Sequence, residues 1–308
     1  MARLGLADLI AAGPRALSRY TGTLFAVFVA QSLVAAACMV GVALVLAQAF
    51  AHLPMFDEAV DGDLVALIHC VRFGKPSLVA AGGIVFAGLV LWQLATWFLA
   101  GGINGVLAHR PEGRGDTARC FGASGSATYL TYARLALCSL PGWLVVLFVF
   151  ATGLGIVGPR IEHALTLPEL LVPLGLAVLP AVIVLHVVWT IADFARVELT
   201  LRHESHDPGV IATYLRTIVY VLRRPVTLVH GALGWVLFAL VTCAYAYLAQ
   251  GHPMYGAEGA LLLFVVRQGV ALLRMAIRFG ITAGQIELGR TRPLPPRRVE
   301  VSVGESHA

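Results

Sequence analysis

Apolar residues gather into six long blocks, approximately Thr21–Phe50, Ser77–Leu107, Leu135–Val157, Leu170–Phe194, Val226–Ala249 and Ala260–Ile281. Each is long enough to carry a helix, rising about 1.5 Å per residue, across roughly 30 Å of hydrocarbon. None shows the two-residue alternation of a barrel strand, so the pattern predicts six transmembrane helices in an all-α fold.

The segments before the odd-numbered blocks carry a different, amphipathic pattern. In Asp207–Arg224, Asp207 is placed to cap a helix and Pro208 to occupy its first position. Thr213, Arg216, Thr217, Tyr220 and Arg224 then share one face. Val210, Ile211, Tyr214, Leu215, Ile218, Val219 and Leu222 fill the other, the mark of a helix lying flat on a membrane. Leu6, Leu9, Ile10, Leu17 and Tyr20 make a similar stripe, with Gly13-Pro14 expected to interrupt it. Asp116–Arg134 is glycine-rich and the weakest of the three.

The even-numbered blocks share an ending. Gly101, Gly102 and Gly105 surround Asn104, Ala192 and Ala195 flank Asp193, and Ala276, Gly280 and Gly284 precede Gln285. Gly102, Ala192 and Ala283 fall 90 and 91 residues apart. The expected architecture is one domain over 1–289. It consists of three repeats (1–110, 111–206 and 207–289), each a cytoplasmic interfacial helix followed by a transmembrane hairpin. The proline-containing stretch 290–308 reads as a disordered cytoplasmic tail. Gly101 and Gly105, and Ala276, Gly280 and Gly284, form small-residue faces for close helix packing, within the bundle or in a homo-oligomer.

Composition sharpens this. Hydrophobic residues make up 58% and charged residues 13%, against roughly 45–50% and about 25% in soluble domains. A soluble globular protein is excluded. Of the 22 basic residues, 21 are Arg, a coding bias that suggests a bacterial source. Sixteen lie before the first block, between the second and third, between the fourth and fifth, or after the sixth; Arg72, Lys75 and Arg160 lie on the other side. By the positive-inside rule both termini face the cytoplasm, in an inner membrane, with anionic lipid headgroups as neighbours. The apolar stretch after the first arginines is too long for a cleaved signal core. The net charge of +5 therefore reports topology, and no nucleic-acid partner is expected.

Chemistry-bearing residues are few. Cys38, Cys70, Cys120, Cys138 and Cys243 form no CxxC pair or metal spacing. Arg267 falls near the expected midplane, where a charge is expensive. With Gln31 and Arg274 it is the candidate anion or lipid site, although a packing role bonded to carbonyls and Gln31 explains it as well. Asp193 and Arg278 are expected at similar depth as an intramembrane polar pair, and His186 lies one heptad before Asp193. Arg202-His203-Glu204-Ser205-His206-Asp207 and Asp61-Gly62-Asp63 are dense but incomplete as metal motifs. No nucleotide-binding or hydrolase motif occurs, so neither cofactor nor metal is expected. The expected role is a non-enzymatic membrane scaffold or accessory subunit that holds other membrane proteins. The alternative is a transporter or lipid-handling protein built around Arg267.

Overall fold

The computed structural model describes residues 5–50, 64–162, 166–202, 209–250 and 257–294, and every regular element among them is helical. In chain order the helices are α1 (Leu6–Arg19), α2 (Thr21–Phe50), α3 (Leu64–Phe73), α4 (Lys75–His109) and α5 (Arg114–Glu162). They continue as α6 (Leu167–Leu201), α7 (Val210–Arg223), α8 (Pro225–Gln250) and α9 (Ala257–Thr291). The acidic residues 57–63, with their Asp61-Gly62-Asp63 motif, lie outside the described residues, as do 203–208 of the His-rich cluster.

Among the described residues five helices, α2, α4, α5, α6 and α8, are long and apolar enough to cross a membrane. That is the pattern of a multi-pass membrane protein. The sixth apolar block lies in α9, which is not among the five; Arg267, Arg274 and Arg278 interrupt it. The helices turn large apolar side chains outward: Phe86, Phe148 and Ile156 each expose 70% or more. Such a surface is unfavourable in water by about 25 cal/mol per Å² and stable against lipid chains.

The chain packs as two compact units, Met1–Ala16 with Leu130–Leu240 and Gly280–Ala308, and Leu17–Tyr129 with Val241–Phe279. In the second, α2 lies along α4, where a side chain on Gly88 would collide with Cys38 and Gly41 meets Ile84. The turn from α4 to α5 uses left-handed backbone at Arg110 (φ 52°) and Gly113 (φ 85°). The end of α4 then packs on the start of α5. Gly101 and Gly105 face Ser124, Gly125 and Thr128, and Phe98 meets Phe121 with ring centres 5.9 Å apart.

In the first unit, α5 and α6 touch at Gly142 against Val188 and at Gly153 against Ala177. Thr166 caps α6 by accepting from the Glu169 amide, a capping arrangement ahead of an apolar run. Trp143, Trp189 and Trp235 form an edge-to-face ladder with centres 6.0 and 5.9 Å apart.

Four expectations change. The glycine-rich segment 116–134 is no separate interfacial helix but the beginning of the 49-residue α5, roughly 74 Å long. Gly125 within it gives Phe98 of α4 room to approach, a contact that a Cβ would block. Gly13-Pro14 does not interrupt α1: Gly13 is buried against Gly280, and a Cβ on it would lie 3.2 Å from the Gly280 Cα. Helix α7 begins after Gly209, later than the Asp207-Pro208 start, two residues outside the described set. The expected tail is ordered at its beginning, since Leu294 is buried and its carbonyl accepts from Arg202 at 2.8 Å; residues 295–308 lie outside the described set.

The faces of α7 are the most informative result. Thr213, Thr217 and Tyr220 are buried, while Ile211, Leu215, Val219 and Leu222 are exposed. The polar stripe packs on protein and the apolar stripe faces out, with Tyr214 the exception on the buried side.

Candidate functional site

Ionisable and aromatic groups concentrate where α6 ends, in the first unit. Helical spacing places Trp189, Asp193 and Arg196 on adjacent turns. The Trp189 indole donates to Asp193 at 2.9 Å, and Arg196 donates to the other carboxylate oxygen at 2.7 Å. One turn on, the Tyr132 hydroxyl from α5 donates to the Arg196 carbonyl at 3.1 Å and pairs with Thr200 at 2.6 Å. Glu198, buried, forms an ion pair with Arg202, whose guanidinium also holds the Leu294 carbonyl. The Tyr220 hydroxyl donates to the Arg292 carbonyl at 2.9 Å, and Arg224 lies over its ring at 4.3 Å. Burial pushes the Tyr220 phenol above its usual range, and Arg224 draws it partly back. Burial raises the Tyr214 phenol too, with a smaller contribution from Cys138.

These groups consume one another. Each carboxylate has a cation in contact, and the hydroxyls are spent on carbonyls, which is the chemistry of a clamp joining α5, α6, α7 and the end of α9. His186 does not extend it: its Nε2 sits 3.0 Å from the Leu228 carbonyl.

Arg267 is exposed, and among the described residues it has no hydrogen bond or ion pair. Gln31 is half-buried on α2 in the same unit. Arg274 donates to the Thr242 hydroxyl on α8. Arg278 is exposed on α9. Of the small-residue faces, Gly101 and Gly105 are filled by α5 within the chain. Gly280 meets Gly13, and Gly284 meets the Leu9 carbonyl and His230. Ala276 is half-buried. Among the described residues no group of three or more His, Cys, Asp or Glu is placed to hold a metal ion.

The second unit also holds a cavity of about 900 Å³, formed by the start of α2, the α4–α5 turn and the start of α5. Sequence reasoning overlooked it: its lining comes from segments some 90 residues apart, and no local motif marks it. Comparison with protein-family models, curated proteins and solved structures finds no match to this chain.

Proposed function

We propose that this chain is a non-enzymatic scaffold or accessory subunit of a bacterial inner-membrane complex, engaged through Arg267. The observation that carries the reading is the outward placement of Arg267 on α9. Phe264 and Ala271, one helical turn to either side, are exposed as well, as are Leu261, Val265 and Leu273. A guanidinium at the centre of a lipid-facing helix costs about 2.5–3.5 kcal/mol on insertion scales. A neighbouring transmembrane segment bearing Asp or Glu at the same depth removes that cost. An enclosed transport site at Arg267 has less support, because the side chain faces outward.

In this reading α9 is the sixth span, and α2–α4, α5–α6 and α8–α9 are three hairpins. Their contacts step in opposite directions along each pair, which supports the pairing. Gly41 meets Ile84 and Cys38 meets Gly88; Gly142 meets Val188 and Gly153 meets Ala177. Gly234 meets Ile281, and Thr242 meets Arg274. The docking order supports three repeats. The end of α4 lies on the first turns of α5, α6 packs on α7, and the end of α9 lies on α1. The arginine asymmetry supports a cytoplasmic position for both termini, and the outward apolar face of α7 suits an interfacial helix.

Native-state gels and mass spectrometry of protein extracted in digitonin test the partner. Wild type is expected to run in a larger particle with a protein whose span bears an acidic residue. Arg267→Leu is expected to run alone, with unchanged or higher thermal stability. An Arg267→Leu variant that keeps the same particle, or that loses only a bound lipid, overturns the reading.

A further inference from the structure

The cavity in the second unit has a graded lining. Its mouth carries Arg19 and Arg114, while Ala26, Val27, Leu99 and Phe121 form an apolar wall. Arg19 is fixed there, donating to the Arg110 carbonyl at 3.3 Å while its side chain stays 45% exposed. Glu112 is the acidic residue in the lining, 3.8 Å from Arg19 and almost fully exposed. The lining thus holds two guanidiniums and one carboxylate, the latter loosely held by Arg19. The amino ends of α2 and α5, both long helices, border the same space and add positive potential. The volume is in the range of small-molecule sites, roughly 300–1,000 Å³.

We propose that this cavity binds a phosphate group, supplied as a lipid headgroup whose chain follows the apolar wall or as free phosphate. Guanidinium forks match phosphate oxygens through charge-assisted hydrogen bonds. The inference is independent of the role assigned to Arg267, which lies on another helix.

The test uses the full chain in neutral detergent, probed by native mass spectrometry and thermal shift with three probes: dioleoyl phosphatidic acid, dioleoyl phosphatidylcholine and inorganic phosphate. Phosphatidic acid is expected to bind wild type and to lose about tenfold or more in affinity with Arg19→Gln/Arg114→Gln. Glu112→Gln, which removes the competing carboxylate from an exposed position, is expected to bind more tightly than wild type. Ala26→Trp, which fills the apolar wall, separates the two sources. Loss of phosphatidic acid with phosphate retained identifies a lipid ligand, and unchanged binding of both identifies free phosphate. Binding that ignores the two arginines and Glu112, or that equally favours phosphatidylcholine, overturns the proposal.

Discussion

Gly284 shows how little room the end of α9 leaves. A Cβ there would lie 2.6 Å from the His230 Nε2 and 2.9 Å from the Leu9 carbonyl oxygen. Neither neighbour moves freely, since His230 is buried and the carbonyl belongs to α1. Gly284→Ala is therefore expected to destabilise the protein by about 1–3 kcal/mol, the usual cost of overpacking. Gly269, with nothing within 4 Å of its Cβ position, is the control, and its replacement by Ala is expected to be neutral or stabilising; thermal unfolding in detergent reads both. The clamp gives a second expectation. Truncation after Thr291 removes the Arg292 carbonyl that Tyr220 holds and the Leu294 carbonyl that Arg202 holds. That truncation is expected to lower the melting temperature below that of a chain ending at Leu294, which keeps both carbonyls.

At the scale of elements, hydropathy located the helices well because a spanning block needs only length and apolarity. Block boundaries at Thr21 and Phe50 coincide with α2. Amphipathicity was less decisive. It told that α7 has two unlike faces, but the stripe is the same whether the apolar side meets a core or lipid, and no local signal separates them. Site-directed spin labels give the direct check. Labels at Ile211, Leu215 and Leu222 are expected to be more accessible to oxygen than to a soluble nickel chelate. A label at Thr217, which is 1% exposed, is expected to be shielded from both. Separation of α5 into two elements failed for the opposite reason. Gly122 and Gly125 lower helix propensity, by roughly 1 kcal/mol each, yet Gly125 lets Phe98 of α4 approach closely, and that packing outweighs propensity. The candidate site was the least legible part. Depth along a helix is readable from sequence, but the direction in which Arg267 points is not. Two partners of Asp193 lie within four residues on its own helix, where Trp189 and Arg196 stand at helical spacing.

For the whole molecule, topology is the accessible expectation. Lys75 and Glu112 are both exposed, and the orientation proposed above from the arginine asymmetry would put them on opposite sides of the membrane. In a cysteine-depleted background an impermeant maleimide is expected to label Lys75→Cys in intact cells, and Glu112→Cys only after lysis. Native Cys70 is a poor reporter because it is 5% exposed.

The docking of α1 on α9 has a consequence for biogenesis. Leu9 and Gly13 are translated well before their counterpart around Gly280, which lies more than 260 residues further along the chain. At about 5–20 residues per second, α1 waits roughly 15–50 s for the surface that covers it. Its exposed Leu6 and Ile10 give it a resting place at the bilayer meanwhile. Completion of the first unit thus waits for α9, so a ribosome stalled before it leaves the earlier described helices made and this unit still open.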